Sequence, residues 1–170
     1  SFRMHDPDDM LFHMRSTYGG TYVWTNGVLE KLDGKVSDAI QSLVYPYWHP
    51  SGDYVAFSTN QTKQMFHMKD KNRIEVFDMS SDVLVYDVKN HRVVTDSLLF
   101  SKQAFETFPS FSPDGKTLYF SSSVAQKMPI DYKKVKYNIC SISFDAETGR
   151  FGTQVDTLFS VEQTGKTGTF

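Results

Sequence analysis

Apolar and polar residues alternate along most of this chain. The period-two pattern runs through "MLFHMRST" (10–17), "GTYVWTNGVLEKLD" (20–33), "DYVAFSTN" (53–60) and "RIEVFDM" (73–79). It returns in "DVLVYDVKNHRVV" (82–94), "KTLYFSSS" (116–123), "YNICSISFDAETGRF" (137–151) and "QVDTLFS" (154–160). Successive side chains on a strand point to opposite faces, so this alternation predicts strands with one face buried. Val, Ile, Tyr, Phe and Thr, which suit a pleated surface, dominate these runs. Asn26-Gly27 can supply two residues of positive φ and predicts a tight hairpin. Only 36–44 ("VSDAIQSLV") and 101–106 ("SKQAFE") tolerate helix, and neither holds a 3.6-residue period over three turns. The pattern predicts an all-β chain.

The chain also repeats itself. "YPYWHPSG" occupies 45–52 and "FPSFSPDG" occupies 108–115, and each is followed by a strand-like run. In Ser112-Pro113-Asp114-Gly115 the proline presets φ, aspartate suits the second turn position and glycine accepts a left-handed conformation. The octet therefore predicts a hairpin turn, and His49-Pro50-Ser51-Gly52 repeats it. The aromatic residue just before each turn, Trp48 or Phe111, is expected to pack against a neighbouring sheet. Asp87 and Asp145 stand 58 residues apart, as do Arg92 and Arg150, so the copies agree further on. Two four-stranded units result, with strands at 44–49, 54–60, 83–88 and 93–99, then at 107–112, 117–123, 138–144 and 151–159. A four-stranded unit repeated head to tail is the blade of a β-propeller.

"FPSFSPDGKTLYFSSS" resembles the PD40 (TolB-like, WD40-like) propeller repeat, whose core reads Pro-x-Trp/Phe-Ser-Pro-Asp-Gly-Lys-x-Leu-x-Phe. Residues 109–120 match nearly throughout, and residues 46–57 match with His49 in place of Ser and Ser51 in place of Asp. The resemblance lays a partial blade over 9–33, whose first strand is missing. Complete blades follow at 44–99 and 107–159, and 160–170 starts the next. An incomplete, open propeller segment is expected. By resemblance alone, the chain is expected in the periplasm or cell envelope of a bacterium. Two complete blades and a partial one cannot close a ring, so it is expected to be part of a longer protein or to self-associate.

Composition narrows the partners. The chain has 170 residues with 39% hydrophobic, 15% aromatic and 22% charged, and a formal net charge of −2. That length suffices for one sizeable core. The charge argues against a general nucleic-acid binder. No run of about 18 apolar residues occurs, so no transmembrane helix is expected. The single Cys140 excludes an internal disulfide and Cys-pair metal sites, and its alternation with apolar neighbours predicts a packed thiol.

Candidate chemistry is sparse. Gly165-Lys166-Thr167 has the end of a phosphate-binding loop, but Ser160 stands where that loop needs its first glycine. His5, His13, His49, His67 and His91 show no metal-ligand spacing. No Gly-x-Ser-x-Gly nucleophile elbow occurs. No cofactor and no catalytic residue is assigned.

The least ordinary features are two long connections between the second and third strands of each copy, roughly 61–81 and 124–137. Lys63, Lys69, Lys71 and Arg73 outweigh Asp70 in the first, and Lys127, Lys133, Lys134 and Lys136 outweigh Asp131 in the second. Within 61–73 and 124–136 each carries +3, which leaves the remaining chain at −8. In a propeller these connections share one rim, so they and His67 form a candidate basic recognition surface for a protein or anionic glycan; alternatively, the lysines merely solvate long loops. The favoured reading is a non-catalytic envelope platform. Alternatives are the propeller portion of an enzyme and a purely structural repeat. The resemblance suggests two kinds of enzyme: a prolyl-oligopeptidase-like peptidase with its catalytic domain elsewhere, or a metal-dependent oligosaccharide lyase.

Overall fold

The computed structural model describes residues 2–3, 5–14, 20–32, 43–66 and 74–165. They form three four-stranded antiparallel sheets, each a meander in chain order. The first holds β1 (Phe2–Arg3), β2 (Asp6–Met14), β3 (Gly20–Thr25) and β4 (Val28–Lys31). The second holds β5 (Leu43–Trp48), β6 (Tyr54–Phe66), β7 (Ile74–Asp87) and β8 (Arg92–Val94). The third holds β9 (Ala104–Phe111), β10 (Thr117–Val124), β11 (Asn138–Asp145) and β12 (Arg150–Phe159). The fold is all-β and open, as expected of propeller blades that do not close a ring.

Several boundaries differ from the sequence expectation, each for a local reason. The first sheet is not short of a strand: Phe2 pairs with Met10, and Arg3 with Asp6, in a two-residue edge. The connection expected over 61–81 is largely strand, because β6 and β7 stay paired as far as Phe66 and Ile74. The alternation in "RIEVFDM" continues the ladder where a loop was drawn. The strand expected over 93–99 stops at Val94, since Asp96 folds the chain back by accepting the Leu98 N–H on Oδ1 (2.8 Å). That turn buries Leu99, whose carbonyl accepts the Val83 N–H at 3.0 Å. The helix-permissive 101–106 enters β9 from Ala104; of 36–44, all but Leu43 and Val44 lie outside the described residues. Beyond β12, Ser160 caps the one-turn helix α1 (Val161–Thr164), which Gly165 ends at φ 62°. Residues 166–170 lie outside the described residues.

Two apolar seams join the sheets. Leu11, Val23 and Leu32 of the first sheet meet Trp48, Val55, Phe57 and Leu84 of the second. The opposite face of the second sheet, with Tyr54, Ala56, Val83 and Val85, meets Phe111, Leu118, Phe120 and Ile142 of the third. Trp48 and Phe111 thus each pack on the preceding sheet, as the repeat predicts. The second sheet is covered on both faces, so Tyr54 through Asn60 are all buried and alternation there chooses a neighbour rather than core against solvent.

The repeated octets form the expected turns. The Gly52 N–H bonds to the His49 carbonyl at 2.8 Å, and the Gly115 N–H to the Ser112 carbonyl at 2.9 Å. Both glycines have positive φ, 77° and 72°, which a Cβ would strain. Ser51 Oγ accepts the Asp53 N–H at 3.1 Å, just as Asp114 Oδ1 accepts the Lys116 N–H at 3.1 Å. Serine therefore replaces the repeat's aspartate with little chemical loss. Asn26-Gly27 likewise closes its two-residue hairpin, with φ of 52° and 75°.

The octets share a second feature that the motif does not announce. Their first residues, Tyr45 and Phe108, have φ of 54° and 53°. Each interrupts the register of its strand, marking a β-bulge. The turned-out Phe108 N–H donates to Ser58 Oγ of the second sheet at 3.1 Å. Holding a bulky residue in that region costs on the order of 1–3 kcal/mol. The two bulges bring the Tyr45 and Phe108 rings together, with centroids 4.4 Å apart.

Candidate functional site

The β6–β7 ribbon and the connection after β10 adjoin. Tyr137, at the end of that connection, lies against Asp78 and Ser81 at the base of the ribbon, near Tyr45 and Glu106. Its hydroxyl faces Ser81, which tempers the rise that burial imposes on it, but the geometry falls short of a hydrogen bond. Lys136, just before it, donates its backbone N–H to Ser123 Oγ at 3.1 Å. Among the described residues, the two connections thus adjoin at Tyr137 and Ser81.

Of the candidate rim residues, Lys63 sits on β6 with its backbone opposite Phe77 rather than in a loop. His67, Lys69, Lys71 and Arg73 lie outside the described residues. Lys127, Lys133, Lys134 and Lys136 are all exposed. Lys134 pairs with Asp131 at 2.8 Å across a single 3-10 turn, Tyr132–Lys134. Lys133 lies over the Tyr132 ring, 5.7 Å from its centroid. Lys127, Lys133 and Lys136 thus carry the outward positive charge of this connection.

Beneath the rim lies a polar cluster that the sequence pattern did not reveal. Asn60 and Ser81 face each other across β6 and β7. Asn60 Nδ2 donates to Asp78 Oδ2 at 3.0 Å, while its Oδ1 has no hydrogen-bond partner. Ser81 Oγ and Glu106 Oε2 are also buried without one. Burial pushes the Glu106 carboxyl up to about 8, and the nearby Asp82 carboxylate adds to the rise. Burial similarly lifts Asp82 to about 6, against the Ser101 N–H that its Oδ1 accepts at 3.1 Å. The sequence hint was slight: polar Ser58 and Asn60 continue the face on which Tyr54 and Ala56 are core.

The other rim carries the turns. His49 Nδ1 accepts the Ser51 N–H (3.0 Å) and faces the Ser51 hydroxyl at 2.8 Å. Its Nε2 lies 2.9 Å from the Gly115 carbonyl, which can only accept, so Nε2 carries the proton. The imidazole is enclosed edge-on by Tyr54, Phe111 and Phe144. It is a packed bridge between two turns. A groove of about 710 Å³ opens beside it, lined by Asp114, Lys116, Asp145, Glu147 and Arg150 among others. Cys140 is buried in the second seam, and its thiol is pushed up by desolvation, as expected of a packed cysteine. Among the described residues, no group of three or more His, Cys, Asp or Glu is placed to hold a metal ion.

No family model matches the chain, and no curated protein matches it. Among solved structures, it is similar to dipeptidyl peptidase 4 from Porphyromonas gingivalis, with a TM-score of 0.55 at 10% identity. The likeness covers 92% of this chain but spans only 25% of that one. At this identity the likeness concerns fold. It agrees with the three antiparallel sheets, which fit successive blades of an open β-propeller.

Proposed function

We propose that this chain is a PD40-type, TolB-like propeller platform that binds an acidic protein segment or anionic glycan on one rim. The observation that carries this reading is the meeting of the two connections at Tyr137, with Lys127, Lys133 and Lys136 exposed above it. Exposed lysines in one place attract an anion with a strength that salt screens over about 8 Å at physiological ionic strength. By the family resemblance, the setting is the bacterial periplasm or cell envelope.

Binding of a polyanionic glycan, heparin as the probe, tests the platform. Affinity should fall as salt rises, and Lys133→Glu with Lys136→Glu should weaken it while the melting temperature holds. Unchanged binding in that double variant would remove the rim from the reading. Lys134 is a poorer probe, because Asp131 already engages it.

A second reading is favoured by the fold likeness alone: the chain is the propeller portion of a peptidase whose catalytic domain lies elsewhere in the protein. Assaying the product of the full reading frame on dipeptidyl chromogenic substrates decides it, since cleavage by that product would favour the peptidase over the platform. The partners would also include further blades or a second copy. Val28, Leu29 and Leu158 are exposed apolar residues on the two end sheets, a feature that invites association. Light scattering at micromolar concentration should find species larger than one chain.

A further inference from the structure

We propose that Asn60, Ser81 and Glu106 form a binding site for a primary ammonium group at the seam of the second and third sheets. Three polar atoms are buried without partners, one from each side chain: Asn60 and Ser81 face each other across β6 and β7, and Ser81 and Glu106 both act on Tyr137. Buried polar groups are nearly always hydrogen-bonded, and an unmet one costs about 1–3 kcal/mol. Three together at one seam point to a ligand able to meet all of them. Asn60 Oδ1 can only accept, and Ser81 Oγ and Glu106 Oε2 can also accept. An ammonium group offers three N–H donors in a compact head, matching that number.

The surroundings choose a cation over an anion. Asp78 and Asp82 on β7 and Glu106 on β9 bring three carboxyl groups to the cluster. Among the described residues, Tyr45 from β5, Tyr137 and the Cys140 thiol from β11 are further titratable groups near it. Tyr45 and Phe108 flank the seam. Both are about two-fifths exposed, their rings touch, and burial and the Asp78 charge raise the Tyr45 hydroxyl. The two strained bulges thus place partly exposed aromatic rings near an acidic group, and such faces attract cations within about 6 Å. The high affinity of Glu106 for its proton fits the same role, because a bound ammonium would displace that proton.

This site differs from the lysine rim in charge and ligand, so either can fail without the other. The intact chain is titrated with propylammonium chloride as a free amine and with acetylated, amidated lysine as a protein-borne one. Tetramethylammonium, which has no N–H, and potassium chloride at equal ionic strength are controls. Tyrosine fluorescence and calorimetry are the readouts. Both N–H donors should bind, and the controls should not. Calorimetry at pH 7 in two buffers of different ionisation enthalpy should show proton release on binding. Glu106→Gln should lower affinity at least about tenfold and abolish the proton release. Ser81→Ala, which leaves all the carboxyl groups in place, should lower it about three- to tenfold. Equal responses to propylammonium and tetramethylammonium, or unchanged affinity in Ser81→Ala, would overturn the proposal. No response to either amine would also overturn it and leave a cluster satisfied by water only.

Discussion

The turns at 49–52 and 112–115 close with the same backbone bond and the same left-handed glycine, yet their first residues do different work. Ser112 stays within its own turn: its hydroxyl donates to Asp114 Oδ1 at 2.6 Å and accepts the Thr117 N–H at 3.0 Å. His49 reaches out of its turn to the carbonyl of Gly115 in the next sheet. Asp87 and Asp145 show the same divergence. Both organise the turn that follows, Asp87 through the Asn90 N–H and Asp145 through the Glu147 N–H. Asp87 is buried while Asp145 is exposed, because the second sheet is covered on both faces. Repeat units of one pattern thus acquire different energetics from their neighbours.

The largest expected effect breaks the pairing of the two turns outright. A Cβ on Gly115 would stand 2.3 Å from His49 Nε2, and the backbone is at φ 72°. Gly115→Val should cost about 3 kcal/mol or more, combining strain with displacement of a packed ring. At Gly27 nothing lies within 4 Å of a new Cβ, so Gly27→Val should cost only the backbone term of about 1–2 kcal/mol. Urea melts that give both variants one midpoint would show that the sheet-to-sheet contact contributes nothing.

Replacing His49 by serine makes the first octet more like the second, and sharpens the comparison. It removes the bond to the Gly115 carbonyl and a ring packed against Phe111 and Phe144. A loss of about 2–3 kcal/mol is expected. If stability instead rises, the turn matters more than the seam.

The seam between the same two sheets should also respond to pH. The Glu106 carboxyl is raised in the folded state from 4.5 to about 8, and the Asp82 carboxyl from 3.8 to about 6. Over these ranges the folded chain holds protons that the unfolded chain has released, so stability falls as pH rises. The melting temperature should decline from about pH 4.5 to about pH 8. Glu106→Gln should flatten the decline above about pH 6, and an identical pH profile would show that Glu106 ionises in the fold without penalty.

Ser51→Asp is the smallest change. It places the repeat's own residue at a position where a side-chain oxygen already accepts the Asp53 N–H. The effect should stay within about 0.5 kcal/mol. A larger loss would show that the His49 Nδ1 contact to the Ser51 hydroxyl, at 2.8 Å, holds the imidazole in place.

The amino-acid sequence by itself determined the strands, the turns and the repeat. These rest on local physics: side-chain alternation, the fixed φ of proline, the freedom of glycine at 52 and 115, and the short reach of Ser and Asp oxygens. It also determined that Trp48 and Phe111 would be core, because their places in the pattern lie on buried faces. Tertiary structure alone decided the rest. The ribbon beyond Thr59 needed pairing with β7 to be strand, and the Phe2–Arg3 edge needed β2. The contact of His49 with Gly115 joins residues 66 apart, and Asn60, Ser81, Glu106 and Tyr137 meet only where two sheets pack. Their spacing has no local period, since a site built across a seam depends on the distance between sheets, which no short stretch of chain encodes.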